Sequence, residues 1–317
     1  MIAHKEFHRW NLILGWGVFV IASLVYLLTL EPTTSWWDCG EYISTAYKLQ
    51  VGHPPGAPTF QLIGRFFSLF AFGDVEKVAL MTNAMSAFSS GLTILFLFWT
   101  IVFLARKIVG TGVEYTRQQV IAIFGSALVG SLAFTFSDSF WFSAVEGEVY
   151  AMSSLFTAIT FWAILKWETV ADQEHSLRWI ILISFLIGLS IGIHLLNLLA
   201  IPAIAFVYYF KKYHPTRKGV ALVSVLSIII LAVIMYIIIP GIVWLSGMFE
   251  LFFVNTVRLP FNSGTIIYFV LLIGALVWGL RATRKKGRVV LNTALLGLVF
   301  ILIGYSWQNA RSDRGVT

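Results

Sequence analysis

Long apolar runs and short polar gaps alternate along this chain. The runs cover residues 10–30, 78–105, 120–136, 149–167, 177–210, 220–239, 265–280 and 289–307. They lack the period-2 alternation of half-buried strands. A helix of about 20 residues crosses a hydrocarbon layer about 30 Å thick. The run 177–210 is too long for one span and divides near His194. The pattern predicts an all-α polytopic membrane protein with about eight or nine transmembrane helices rather than a β-barrel. A further apolar stretch, 57–72, is short and holds Gln61 and Arg65. It reads as an interfacial or re-entrant helix within the first loop, residues 31–77. One transmembrane domain over residues 1–317 accounts for all these segments.

Composition agrees with this layout. The chain is 58% hydrophobic and 12% charged, against about 25% charged residues in soluble domains. The net charge of +7 raises the question of an acidic partner. The basic residues, however, fall between apolar runs and read as topology signals, so no nucleic acid is expected. With a cytoplasmic N-terminus, 16 of the 22 Lys and Arg lie in cytoplasmic gaps and 10 of the 15 acids lie on the opposite face. This holds only if 57–72 does not cross and 177–210 does divide. The acidic loop 31–77, the loop 137–148, the His194 turn and the loop after Pro240 then open on one non-cytoplasmic face. The single Cys39 excludes an internal disulfide. The first run is long for a signal-peptide core and no small-residue cleavage site follows, so it reads as a retained anchor. The tail 308–317 is short, charged and unpatterned, as at an abrupt end.

Candidate chemistry sits in those outer loops. Asp38 and Glu41 are three apart and would share a helix face. They suit a general base with a helper or a divalent-metal site; Asp38 can equally cap the helix that follows. Trp36 and Trp37 beside them would desolvate the base and raise its pKa, or form part of an aromatic belt. His53-Pro54-Pro55-Gly56 is a rigid turn, fit to hold a histidine or simply to re-enter the membrane surface. Asp138, Glu146 and Glu148 crowd a short aromatic segment. On a helix, Glu146 and Glu148 would diverge, one toward water and one toward a cavity; Glu148 can also serve the helix dipole. His194 and Asn197 flank the break in the long run, where a packed interhelical hydrogen bond is the plainer reading. Gly188 and Gly192 form a small-residue face for close helix packing. Arg258 is the one basic residue after Pro240, open to a phosphate, to Glu250 or to lipid headgroups.

No nucleotide loop, zinc spacing or serine-hydrolase elbow is present. The ionisable residues do not form a relay across the membrane, and no half-to-half repeat suggests a transporter. The arrangement resembles the GT-C class of glycosyltransferases. Asp38-Cys39-Gly40-Glu41 with His53-Pro54-Pro55-Gly56 is similar to the D-x-G-E and H-P-P-G signature of a bacterial family long catalogued as an uncharacterised domain and related to protein O-mannosyltransferases. Glu146 to Tyr150 and Gly192 to Asn197 resemble its later blocks, and the likeness runs from Trp10 to about Tyr305.

The resemblance implies transfer of a sugar from a polyprenyl-phosphate donor to a protein or glycan hydroxyl, in a bacterial inner membrane. Asp38 would be the base, with Glu41 in support. His53 and Arg258 would meet the donor phosphate. Glu146, Glu148, Tyr150, His194 and Asn197 would line the substrate cavity. No cofactor is required, and a divalent metal is left open. Family members usually continue further, so the chain reads as a fragment or a short member. The competing readings are a lipid-linked sugar flippase and a non-catalytic membrane subunit.

Overall fold

The computed structural model describes residues 2–50, 52–53, 56–110 and 114–305. Pro54, Pro55 and the tail 308–317 lie outside the described residues. Thirteen α-helices are described. Seven helical segments are long and apolar enough to cross a membrane, and Leu177–Ile191 and Val289–Ile303 are shorter apolar helices. The protein is an all-α, multi-pass membrane protein.

The first helix, α1 (His4–Leu28), packs along α4 (Val78–Val109) and α5 (Arg117–Thr135). Two-residue strands β1 (Ile2–Ala3) and β2 (Glu114–Tyr115) pin its start to the α4–α5 connection. Phe7 stacks on Phe124 at 4.6 Å. At the other end, the buried Tyr26 hydroxyl donates to Thr135 O at 2.9 Å. Three short helices lie between or beside the spans: α2 (Cys39–Lys48), α3 (Pro58–Ser68) and α6 (Asp138–Ala144). The eleven residues of α3 are too few to cross. It packs on α2 and α4, as a helix in the first loop should.

The next spans are α7 (Val149–Val170) and α8 (Leu177–Ile191). The break expected near His194 is real. A tight 3-10 turn, Leu195–Leu199, separates α8 from α9 (Ala200–Lys212). At the opposite end, Lys211 and Lys212 share Asp172 at 2.8 and 2.9 Å, and Lys107 pairs with Glu168.

One boundary differs from expectation. The run 220–239 does not stop before Pro240. α10 (Arg217–Val233) continues through a wide turn at Ile234–Ile238 into α11 (Ile239–Leu251) and a second wide turn at Phe252–Thr256. Proline lacks an N–H and crowds the carbonyl one turn back. A π-type turn placed just before it loosens that register, so the helix passes through. The remaining helices, α12 (Ser263–Lys285) and α13 (Val289–Tyr305), fold back, and α13 lies along α8.

Gly188 is what allows that approach. A Cβ there would lie 2.8 Å from the Ile301 Cα. Between lipid-embedded helices there is little hydrophobic drive, so close backbone packing through small residues carries association. Gly188→Val should therefore push α13 away and destabilise the detergent-solubilised protein by about 1–3 kcal/mol. Gly274→Ala, where a Cβ meets nothing within 4 Å, should be neutral or slightly stabilising. Equal thermal unfolding midpoints for the two variants would show that the α8–α13 contact contributes nothing.

Candidate active site

The end of α1, the starts of α4 and α7, and the α8–α9 break meet at one end of the bundle. Glu31 N–H donates to Val145 O at 3.2 Å. The buried Asn83 side chain donates to Glu31 O and Thr33 O at 2.7 and 2.8 Å. Thr59 N–H, at the start of α3, donates to Gly192 O at 2.8 Å. The first loop is thus tied down at three points by groups distant in sequence.

On that frame Asp38, Glu41 and His53 come together. Asp38 stands at the N-cap of α2, yet its side chain makes no capping hydrogen bond. It is left half exposed, 3.9 Å from His53 Nε2. Glu41 lies in the first turn of α2. It accepts from the His53 backbone N–H at 2.5 Å and meets His53 Nδ1 at 3.0 Å. The chain returns to make this contact because α2 ends in a left-handed residue, Leu49 with φ 53°. The backbone N–H and ring of His53 hold the Glu41 carboxyl below its usual range. In turn, the Glu41 hydrogen bond pushes His53 up and favours the imidazolium.

Trp36 and Trp37 are 81% and 89% exposed and are not packed into the protein. The buried carboxylates are Glu146 and Glu148, at 5% and 6% exposure. Nor do these two diverge. They precede α7 in a tight turn closed by Glu148 N–H on Glu146 O at 2.9 Å. Gly147 between them is flush against Asn83 and Ile43, with no room for a side chain. Burial raises Glu146, with Ser35 and Cys39 beside its carboxylate partly offsetting the effect. Burial, then the charges of Glu146 and Asp38, push Glu148 up to about 7; the Asp38 backbone N–H and His53 pull it back. Glu148 therefore lies under the loop that presents Asp38.

Tyr150, on the first turn of α7, faces His194 with ring centroids 5.4 Å apart. His194 caps the 3-10 turn, its Nδ1 accepting from Leu196 N–H at 3.1 Å, and burial lowers its pKa. Asn197 is fully buried and donates to Ser190 Oγ at 2.7 Å. It braces the helix break through this bond. Arg258 follows the second wide turn and lies between α11 and α12, elements that pack on each other. Among the described residues, no hydrogen bond or ion pair joins it to Asp38, Glu41 or His53.

Two residues of this site gave no motif. Asn83 was visible only as an amide inside an apolar run, which is costly unless bonded. Tyr42 spans from the His53 ring, 5.8 Å away, to Phe60 at 5.3 Å, and shares the field of Glu148. Asp38, Glu41 and His53 each offer a ligand atom within 4.8 Å of the others. A divalent cation that takes both carboxylate and imidazole ligands fits such a donor set, though it would have to displace the Glu41–His53 hydrogen bond.

The family described as the N-terminal domain of protein O-mannosyl-transferase TMEM260 matches residues 38–217. Among curated proteins, protein O-mannosyl-transferase tmem260 of Dictyostelium discoideum is 27% identical over 142 residues, 45% of this chain and 15% of that protein. Protein O-mannosyl-transferase TMEM260 of Mus musculus is 27% identical over 177 residues, 55% of this chain and 22% of that protein. The chain thus spans less than a quarter of the length of either relative. No solved structure matches.

Burial of Glu148 has a pH consequence. Its folded pKa of about 7 exceeds the ordinary value of 4.5, so the folded protein binds this proton more tightly than the unfolded chain. The stabilisation is complete below the unfolded value and falls as pH rises through the folded one, by up to about 3 kcal/mol. In Glu148→Gln that decline should vanish. Thermal unfolding from about pH 5 to pH 8 should give a flatter profile than the unaltered protein; parallel profiles would show that the folded state ionises Glu148 at no cost.

Proposed function

The chain belongs to the family of the protein O-mannosyl-transferase TMEM260 N-terminal domain, and on that premise we propose that it is the catalytic membrane portion of a protein O-glycosyltransferase. The donor is a polyprenyl-phosphate sugar and the acceptor a Ser or Thr hydroxyl, on the extracytoplasmic face of a bacterial plasma membrane with the N-terminus cytoplasmic. The observation that carries this reading is the Asp38–His53–Glu41 constellation, held on a fixed loop at the acidic end of the bundle.

Asp38 is the base. An exposed carboxylate free of capping duty can reach a hydroxyl on a bulky acceptor. It removes the hydroxyl proton as the oxygen attacks the anomeric carbon. The new C–O bond forms on the acceptor, and the bond between the anomeric carbon and the phosphate oxygen breaks. The polyprenyl phosphate leaves with its electron pair. His53, favoured as the imidazolium by Glu41, supplies positive charge for the departing phosphate. Glu41 orients that imidazole through two contacts. Tyr150 and His194 flank the donor, and Glu148 supports Asp38 from beneath. Arg258 would join only if the α11–α12 turn moved toward the site. Segments of the relatives that this chain does not match are the natural source of further acceptor contacts.

Asp38→Asn should lower transfer from a polyprenyl-phosphate sugar to a Ser/Thr peptide by about 10²-fold or more, with membrane insertion intact. Unchanged transfer would remove Asp38 as the base. Topology is tested separately with an impermeant thiol reagent on intact cells. Cys39 is buried and should stay silent. Trp36→Cys should label from outside, and Arg284→Cys only after permeabilisation. Labelling of both from the same side would overturn the orientation.

A further inference from the structure

At the end of the bundle opposite Asp38, the last turns of α4 and α7 gather an excess of positive charge. A cleft of about 140 Å³ there is lined by Phe103, Arg106 and Lys107 of α4 and by Glu168 and Thr169 of α7. Lys166, one turn before Thr169 and on the same helix face, lies within the field of Arg106. Glu168 is taken up by Lys107. Among the described residues, no carboxylate lies within ion-pair distance of Arg106 or Lys166. Both are partly buried. Lys211 and Lys212, at the same end, share Asp172; Arg106 and Lys166 have no such neighbour.

Aromatic rings hold the two cations instead. Arg106 Nε donates to the Tyr115 hydroxyl at 2.9 Å. Its guanidinium lies 5.3 Å from the Phe7 ring and 5.7 Å from the Tyr115 ring. The two terminal nitrogens have no acceptor among the described residues. Lys166 Nζ lies 5.3 Å from the Trp162 ring, and Trp162 packs on Trp99 of α4 at 6.0 Å. Ring contacts ease the burial of a charge without neutralising it, and two like charges in a medium of low dielectric repel. Lys166 is about 27 Å of helix past Glu148, close to the thickness of a hydrocarbon layer. The cations therefore stand at headgroup level, with Trp99 and Trp162 just inside it.

We propose that this cleft binds the phosphodiester of an anionic phospholipid. The phosphate oxygens meet the Arg106 fork and the Lys166 ammonium, and the acyl chains run past Trp99 and Trp162. Arg offers two parallel donors to a phosphate and Lys a point charge. A zwitterionic headgroup would bring its own cation into a cleft that already has an excess, so phosphatidylglycerol is preferred to phosphatidylethanolamine. Free phosphate shares the head chemistry but has no chains to bury against the rings. The site is independent of the chemistry at Asp38.

The test measures the thermal unfolding midpoint of the full chain in neutral detergent as phosphatidylglycerol, phosphatidylethanolamine or inorganic phosphate is added. A ligand that binds only the folded state raises the midpoint. Phosphatidylglycerol should raise it and saturate; the other two should leave it in place. Lys166→Gln, which keeps the Arg106 stack, should raise the half-saturating concentration about fivefold, and Lys166→Arg should restore it. Arg284→Gln with Lys285→Gln, basic positions in the last turn of α12 that do not line the cleft, should change nothing. An equal loss in that control would reduce the effect to diffuse attraction and overturn the proposal, as would unchanged binding in Lys166→Gln. A rise with phosphate as large as with lipid, or with phosphatidylethanolamine as large as with phosphatidylglycerol, would overturn the assignment to an anionic lipid.

Discussion

The acidic end of this protein depends on how the first loop is held against the turn before α7. The loop has no regular structure between Leu28 and Cys39, so its backbone groups need partners from elsewhere. Asn83 supplies two donors from inside a membrane span, and Val145 supplies an acceptor. A buried amide in an apolar helix is unfavourable alone and favourable once bonded. Each side therefore needs the other: the loop shields Asn83, and Asn83 fixes the loop. Gly147 lets the two surfaces close, and the carboxylates of Glu146 and Glu148 are buried as a result. Their raised pKa values follow from that closure.

Around this clasp the bundle is polarised. The far end collects basic residues, and two of the acids there, Glu168 and Asp172, are bound to lysines. The near end collects carboxylates, and among the described residues Glu31, Glu146 and Glu148 have no ion-pair partner. Excess negative charge near a loop is unfavourable unless something offsets it. His53 does so locally, bridging toward both Asp38 and Glu41. A site built this way is electrostatically prepared for a positive group or a metal, and it tolerates a phosphate only through the imidazolium. That makes His53 central to any reading that brings a phosphate here.

Much of this was legible in the chain. Length and apolarity located the spans, and the charge count required both the break at His194 and a non-crossing segment 57–72, which the fold bears out. The chain past Pro240 was misread because proline normally ends a helix. The wide turn that lets it continue depends on packing. Asp38, Glu41 and His53 were visible as motifs. Their meeting was not, since it depends on the reversal at Leu49 and on segments tied down from afar. The burial of Glu146 and Glu148 was hidden for a related reason. Residues two apart diverge on a helix, but these precede it in a tight turn. Asn197 shows the limit of motif reading: a polar residue beside a break is as useful to the break as to a ligand.

The carboxylates divide by exposure, and the division has a direction. Asp38 and Glu41 are partly exposed at the loop surface, and Glu146 and Glu148 are buried behind them. In the reading proposed above, a soluble acceptor would meet the exposed pair, and the buried pair would act on it only through the field they set up. A base deep in the bundle would be denied such an acceptor. The clasp at Asn83 fixes Glu31 and Thr33, a few residues before Asp38, which gives a physical reason for a tied-down loop where a free one would cost less to fold.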